Sequence, residues 1–229
     1  MNISLKNRSI WISPECTGGN ILAKLFERYD FFVFERQKTL NKRLVSLKDI
    51  SWTSEIPDEY KDFTKIMTIR NPYSRVYECY ENFYNKSLIS RDLQKVREKF
   101  NQYLEKVFHE DDFFVSIDKN LSKNSYISKW ALSEYLPDEI LRYETLENDF
   151  MNLSLIKNNG IKFDRNKFLD LMTENFDRFD FKLLYTPKNA RKVFEYYKNY
   201  FFHLGYDPYS FTNEVLSDED KVNFIHNRF

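Results

Sequence analysis

Two stretches of this chain place residues capable of anion chemistry where a helix is about to begin. Arg70 lies in Thr68-Ile-Arg-Asn-Pro-Tyr-Ser-Arg75, between a β-prone run and a helix-opening proline, and its planar fork of donors matches a phosphate or sulfate bidentately. The second stretch, Pro14-Glu-Cys-Thr-Gly-Gly-Asn20, holds two of the four glycines in the protein. Gly18 and Gly19 fall where a strand passes into a helix, so first-turn N–H groups backed by the helix dipole can receive an anion. Thr17 and Asn20 add short polar side chains. The structural alternatives are a salt-bridging arginine at a strand end and a plain tight turn at the glycines.

Elements must position these residues, and the apolar spacing supplies them. Ser9–Ser13 is a short strand ending at Pro14, and Ile21, Leu22, Leu25, Phe26 and Tyr29 repeat at helical spacing behind the glycines. Lys65–Ile69 is apolar toward both faces, as a central parallel strand requires. It is preceded by a short helix over Ile56–Phe63. Asn71 is a good N-cap, Pro72 opens the following helix, and Tyr73, Val76, Tyr77 and Tyr80 line one face. A charged helix spans Arg91–Phe108, and Tyr126–Tyr135 is another helix, behind the polar loop Asn120–Ser125. Glu139–Tyr143 reads as a strand with a helix after it. Arg165–Asn175 is a short helix, Thr186 and Pro187 open a helix that closes near Gly205, and Asp218–His226 is a last helical segment. Phe31–Phe34 and Arg43–Leu47 are further strand candidates. Strands alternating with helices predict an α/β fold, a central parallel sheet flanked by helices in one domain over residues 1–229.

Composition limits the partners. The 35 basic and 35 acidic residues cancel, so no global field favours nucleic acid or an anionic membrane, and an anion site must be local. Phe and Tyr number 22 and 16 against four Gly, which favours a helix-rich aromatic core over long loops. Two cysteines, Cys16 and Cys79, have no metal-ligand spacing and fit a reducing compartment. No apolar run reaches the roughly 18 residues of a membrane span and no signal segment is visible, so the expectation is a soluble cytoplasmic protein.

Three blocks resemble the sulfotransferases that use 3′-phosphoadenosine-5′-phosphosulfate (PAPS), in particular the carbohydrate-directed branch and its microbial relatives. Ile69–Tyr80 resembles the family's 3′-phosphate motif, R-[ND]-P-[YF]-x-R-x-x-S-x-Y; Ile140–Phe150 is similar to its R-[YF]-E-x-L-x-x-D-[FL] segment; and Tyr185–Asp207 is similar to its closing helix. The resemblance implies the P-loop-kinase-like sulfotransferase fold, PAPS as donor, no metal, and sulfuryl transfer to a hydroxyl acceptor such as an oligosaccharide. The donor would lie across Thr17, Gly18, Gly19, Asn20 and Arg70.

The match departs from the family at two donor positions. Aligned on the glycines, the family's lysine falls on Cys16, and the family's serine in the 3′-phosphate motif falls on Glu78. A lysine would stabilise charge on the leaving oxygen, whereas an ionised carboxylate at position 78 accepts hydrogen bonds and repels phosphate. Lys24 is a distant replacement for the missing cation. The acceptor hydroxyl must lose a proton, and Glu15 at the loop edge is the preferred base over His109, His203 and His226. Trp130 is a candidate sugar-stacking residue. The alternative implied by Cys16 and Glu78 is a catalytically degenerate sulfotransferase-like binding or interaction protein. A nucleotide kinase fits less well, because the phosphate-loop lysine and the hydroxyl that follows it are absent.

Overall fold

The two central strands come from short β-prone runs that are buried on both faces. Ser9–Ile12 forms β2 with every residue buried, and Thr64–Ile69 forms β3, whose last four residues are buried. Glu139–Arg142 forms β4, and Asn2–Ser4 forms β1. The computed structural model describes residues 2–14, 16–29, 31, 58–83, 92–109, 137–173 and 180–226. The expected strands beyond Phe31, the loop Asn120–Ser125, the helix carrying Trp130 and the candidate base Glu15 lie outside them. The chain folds into two compact units, Met1–Arg70 with Tyr135–Phe176 and Asn71–Glu134 with Asp177–Phe229.

The first unit is α/β. Its four-stranded sheet has the order β1-β2-β3-β4, with Trp11 opposite Ile66 and Met67 opposite Ile140 in the parallel pairs. The sheet is mixed, not wholly parallel as the sequence suggested, because β1 adds an antiparallel edge to β2 through a tight turn with Arg8 at φ 47. Asp138 pins the start of β4: its carboxylate accepts the Lys65 N–H at 2.7 Å and its own N–H donates to Lys65 O at 2.9 Å.

Helix α1 (Gly19–Arg28) buries Ile21, Leu22, Leu25 and Phe26. The core joins these to Trp11, Ile66, Leu141, Leu146 and Phe150, with Trp11 edge-to-face on Phe26 at 5.0 Å. Full burial of one such side chain is worth about 1.5–3 kcal/mol, so the α1 stripe fixes which side of the helix meets the core. Trp11 Nε1 donates to Thr68 Oγ1 at 2.8 Å, which satisfies a buried polar pair within the sheet.

After β4 the chain makes a 3₁₀ turn over Tyr143–Thr145 before helix α4 (Leu146–Asn152), α5 (Ser154–Asn158) and α6 (Arg165–Thr173). Asp149 closes that turn by accepting the Arg142 N–H at 2.8 Å and the Thr145 hydroxyl at 3.0 Å. Glu139 caps α5 from the preceding strand through the Ser154 N–H and hydroxyl.

Among the described residues the second unit is helical: α2 (Pro72–Phe83), α3 (Leu93–His109), α7 (Pro187–Tyr196), α8 (Lys198–Leu204) and α9 (Asp218–His226). Asn71 caps α2 as expected, its side-chain oxygen accepting the Tyr73 N–H at 3.0 Å. Tyr73 is the hub of the core, within ring-stacking range of Tyr185, Phe201 and Phe211. Its hydroxyl donates to Pro208 O at 2.6 Å, and the Tyr185 hydroxyl donates to Tyr73 O at 2.9 Å. Burial pushes both phenols well above their ordinary pKa. The helix expected from Thr186 to Gly205 starts and stops at those signals but is broken at Tyr197, whose φ of −100° and ψ of 18° separate α7 from α8. The helix expected over Ile56–Phe63 is, among the described residues, a 3₁₀ turn over Asp58–Tyr60. No helix among the described residues is long and apolar enough to cross a membrane.

Candidate anion site at the strand ends

Three parallel strands bring their C-terminal ends side by side, and each delivers one part of the site. Ser13, Pro14 and Cys16–Gly18 follow β2, Arg70 follows β3, and Tyr143 follows β4. Ligands of open α/β sheets bind in the crevice beyond the carboxyl ends of the strands, so the register places Arg70 and the glycine loop on the edge where a ligand is expected.

The loop reaches α1 through two left-handed residues, Cys16 at φ 61° and Gly18 at φ 87°. Gly18 is the N-cap and offers no side chain, and the first turn contains no acidic residue. The carbonyl of Gly18 accepts the N–H groups of Ile21 and Leu22. Among the described residues none accepts the N–H of Gly19 or Asn20. An uncapped N-terminus of this kind presents its orphan donors and its positive dipole end outward. Asn20 is exposed beside them.

Side chains of the chain itself account for both glycines. A Cβ on Gly18 would lie 2.6 Å from Tyr143 Cδ2, and one on Gly19 would lie 2.5 Å from Ser13 Oγ. Thr17 is fully buried, and its hydroxyl donates to Pro14 O at 2.6 Å, 3.4 Å from the Ser13 hydroxyl. Thr17 thus holds the loop in shape from inside, while Gly18 and Gly19 admit the neighbours that pack against it.

Tyr143 lies in the Ile140–Phe150 block, but the sequence assigned it no part in the site. Its ring meets Gly18 on one side, and the Arg70 guanidinium stacks over the ring at 4.1 Å. A cation over the face of a tyrosine ring is attracted by the ring's quadrupole, so Tyr143 helps to hold the Arg70 guanidinium at the strand ends. Arg70 is only 1% exposed, and a phosphate reaches it only with movement of the groups that cover it. A single tyrosine after a strand carries no periodic signal; its role arises from strand register.

Cys16 is half-buried in the loop, and Lys24 is exposed on α1. Glu78 belongs to the helical unit, on α2, where its carboxylate accepts Asn82 Nδ2 at 2.9 Å. Arg75 is buried in the same unit with its guanidinium 5.9 Å from the Tyr197 ring. Within the R-N-P-Y-x-R block, then, Asn71 caps, Tyr73 packs, and Arg70 is the member delivered to the strand ends. Among the described residues no group of three metal-ligating side chains occurs. No family model matches the chain, and neither a curated protein nor a solved structure matches it.

Proposed function

We propose that the chain is a PAPS-dependent sulfotransferase of the P-loop-kinase-like fold, acting in a cytoplasmic compartment on a hydroxyl acceptor such as an oligosaccharide. The observation that carries the reading is the uncapped N-terminus of α1 on the same sheet edge as Arg70. Together with the resemblance in the Arg70 and Tyr143 blocks, it supports an anionic nucleotide as the ligand. Backbone N–H groups of Gly19 and Asn20 would hold the 5′-phosphosulfate end, and Arg70, beside Tyr143, the 3′-phosphate.

The donor, when bound, supplies an activated sulfuryl group that passes in line to the acceptor oxygen as the bond to the bridging phosphate oxygen breaks. The chain's contribution is orientation and fixed positive potential. The acceptor proton goes to a base for which Glu15 is the candidate.

A second reading is favoured by a specific feature. Cys16 stands where the leaving oxygen calls for a cation, and the space at Gly18 is filled by Tyr143. On that reading the chain binds the nucleotide and transfers nothing. The two are separated by incubating the protein with PAPS and a panel of hydroxyl acceptors and measuring release of adenosine-3′,5′-bisphosphate. Transfer by the parent protein, increased in Cys16→Lys, is the expected result. Nucleotide binding with no release in either protein would establish the second reading in its place.

A further inference from the structure

At the far end of α1 from the glycine loop, the first unit gathers charge a second time. A cavity of about 620 Å³ opens where Arg28, in the last turn of α1, faces the segment that enters α6. Gly19 and Arg28 are the first and last of the ten residues of α1, about 14 Å apart along the axis at ~1.5 Å per residue, so one phosphate cannot touch both. Four cations line it, Arg28, Lys162, Arg165 and Lys167, against one carboxylate, Asp164. In a chain whose opposite charges cancel, this is a local excess: three of the cations come from Lys162–Lys167, and the fold adds Arg28.

Two of the cations are already committed. Asp164 Oδ2 pairs with Lys167 Nζ at 2.9 Å, and its Oδ1 accepts the Lys167 N–H at 3.2 Å. The Lys167 hydrogen bonds hold the Asp164 carboxyl below its usual range, with a smaller contribution from Arg28. Arg165 Nε pairs with Glu147 Oε1 at 2.6 Å. Arg28 and Lys162 make no such pair among the described residues.

The wall beside them is fixed. The Tyr29 hydroxyl accepts the Asp164 N–H at 3.1 Å, which ties the segment to α1. Phe163 packs on Phe150 and Phe168 at ring distances of 6.0 and 5.6 Å. A cavity of this size lies within the range of small-molecule sites, and its lining combines the half-buried rings of Tyr29 and Phe163 with exposed cations.

We infer that this cavity binds a small organic polyanion, a molecule with two or more phosphate or sulfate ester charges on an apolar body. Arg28 and Lys162 pair with the charges, and Tyr29 and Phe163 contact the body. The inference is independent of the donor reading at the glycine loop.

The test is an amide NMR titration of the full chain with inorganic pyrophosphate and with adenosine 5′-diphosphate. Both should shift Tyr29 and Asn166, and the diphosphate with the organic body should bind more tightly than pyrophosphate. In Arg28→Gln/Lys162→Gln the dissociation constant for either probe should rise about tenfold, as expected for loss of charge-assisted bonds. Arg70→Ala should leave the shifts at Tyr29 and Asn166 unchanged, which separates failure here from failure at the glycine loop. An equal weakening in Lys106→Gln/Lys198→Gln, which removes the same charge from exposed helical sites, would overturn the inference in favour of diffuse attraction. Absence of shifts at residues 28–29 and 162–167 would overturn it outright, and equal affinity for the two probes would remove the organic body from it.

Discussion

At the scale of single residues, Gly18 and Tyr143 form one device. Gly18 has a backbone conformation that costs a non-glycine residue about 1–3 kcal/mol, and its missing Cβ makes room for the Tyr143 ring. Gly18→Ala is therefore expected to destabilise the first unit by about 2 kcal/mol or more in urea unfolding. Adding Tyr143→Ala should recover the steric part and leave the backbone part. Thr17→Val, which deletes the bond to Pro14 O, should cost about 1 kcal/mol. The glycine pair and Arg70 were legible from their place between apolar runs. The reason for the glycines was not, because the ring and the hydroxyl that require them come from β4's end and from Ser13, and neither contact leaves a periodic trace.

At the scale of elements, legibility followed the strength of local signals. Thr186 accepts the Asn189 N–H at 3.3 Å as an N-cap should, Pro187 opens α7, and Gly205 closes α8 in a left-handed conformation. The break at Tyr197 was invisible, since its apolar neighbours keep helical spacing across it. The edge strand β1 was missed because three residues beside a tight turn give no alternation to read. Helices α3 and α7 are joined by Asn101, which donates to Leu184 O at 2.7 Å and accepts from Asn189 Nδ2 at 2.9 Å. Asn101→Ala should lower stability by about 2–3 kcal/mol in chemical denaturation, more than an isolated hydrogen bond, because its partners are left buried.

Glu105 adds a pH dependence to the same pair of helices. Its carboxyl is held below the usual range by the hydrogen bond from Lys192, with Lys188 assisting. The folded pKa lies below the unfolded one, so the contribution is present above the unfolded value and is lost as pH falls through the folded value. The side chain is about a third exposed, which limits the effect to about 0.5 kcal/mol. Glu105→Gln should show that deficit near pH 7 and none well below about pH 4, as read from thermal unfolding at each pH.

At the scale of the whole molecule, the interleaving of the two units has a consequence. Strand β4 and the core residues Leu141, Leu146 and Phe150 come from the second segment of the α/β unit, separated from β3 by a long stretch of chain. A fragment ending at residue 134 lacks them, and it is expected to give no dispersed amide spectrum and no cooperative unfolding. The absence of net charge, read correctly from composition, told only that charge would act locally; which cations converge was set by the fold, as Arg28 and Lys162 illustrate.

We propose that the α/β unit holds an anionic nucleotide between the open N-terminus of α1 and Arg70. Calorimetric titration with adenosine-3′,5′-bisphosphate tests it most directly, on the parent chain and on Arg70→Ala, each checked for native unfolding behaviour. Saturable one-to-one binding by the parent, weakened at least about tenfold by loss of a charge-assisted bidentate contact in Arg70→Ala, is the predicted result. No heat of binding from the folded parent, or equal affinity in the two proteins, would contradict it.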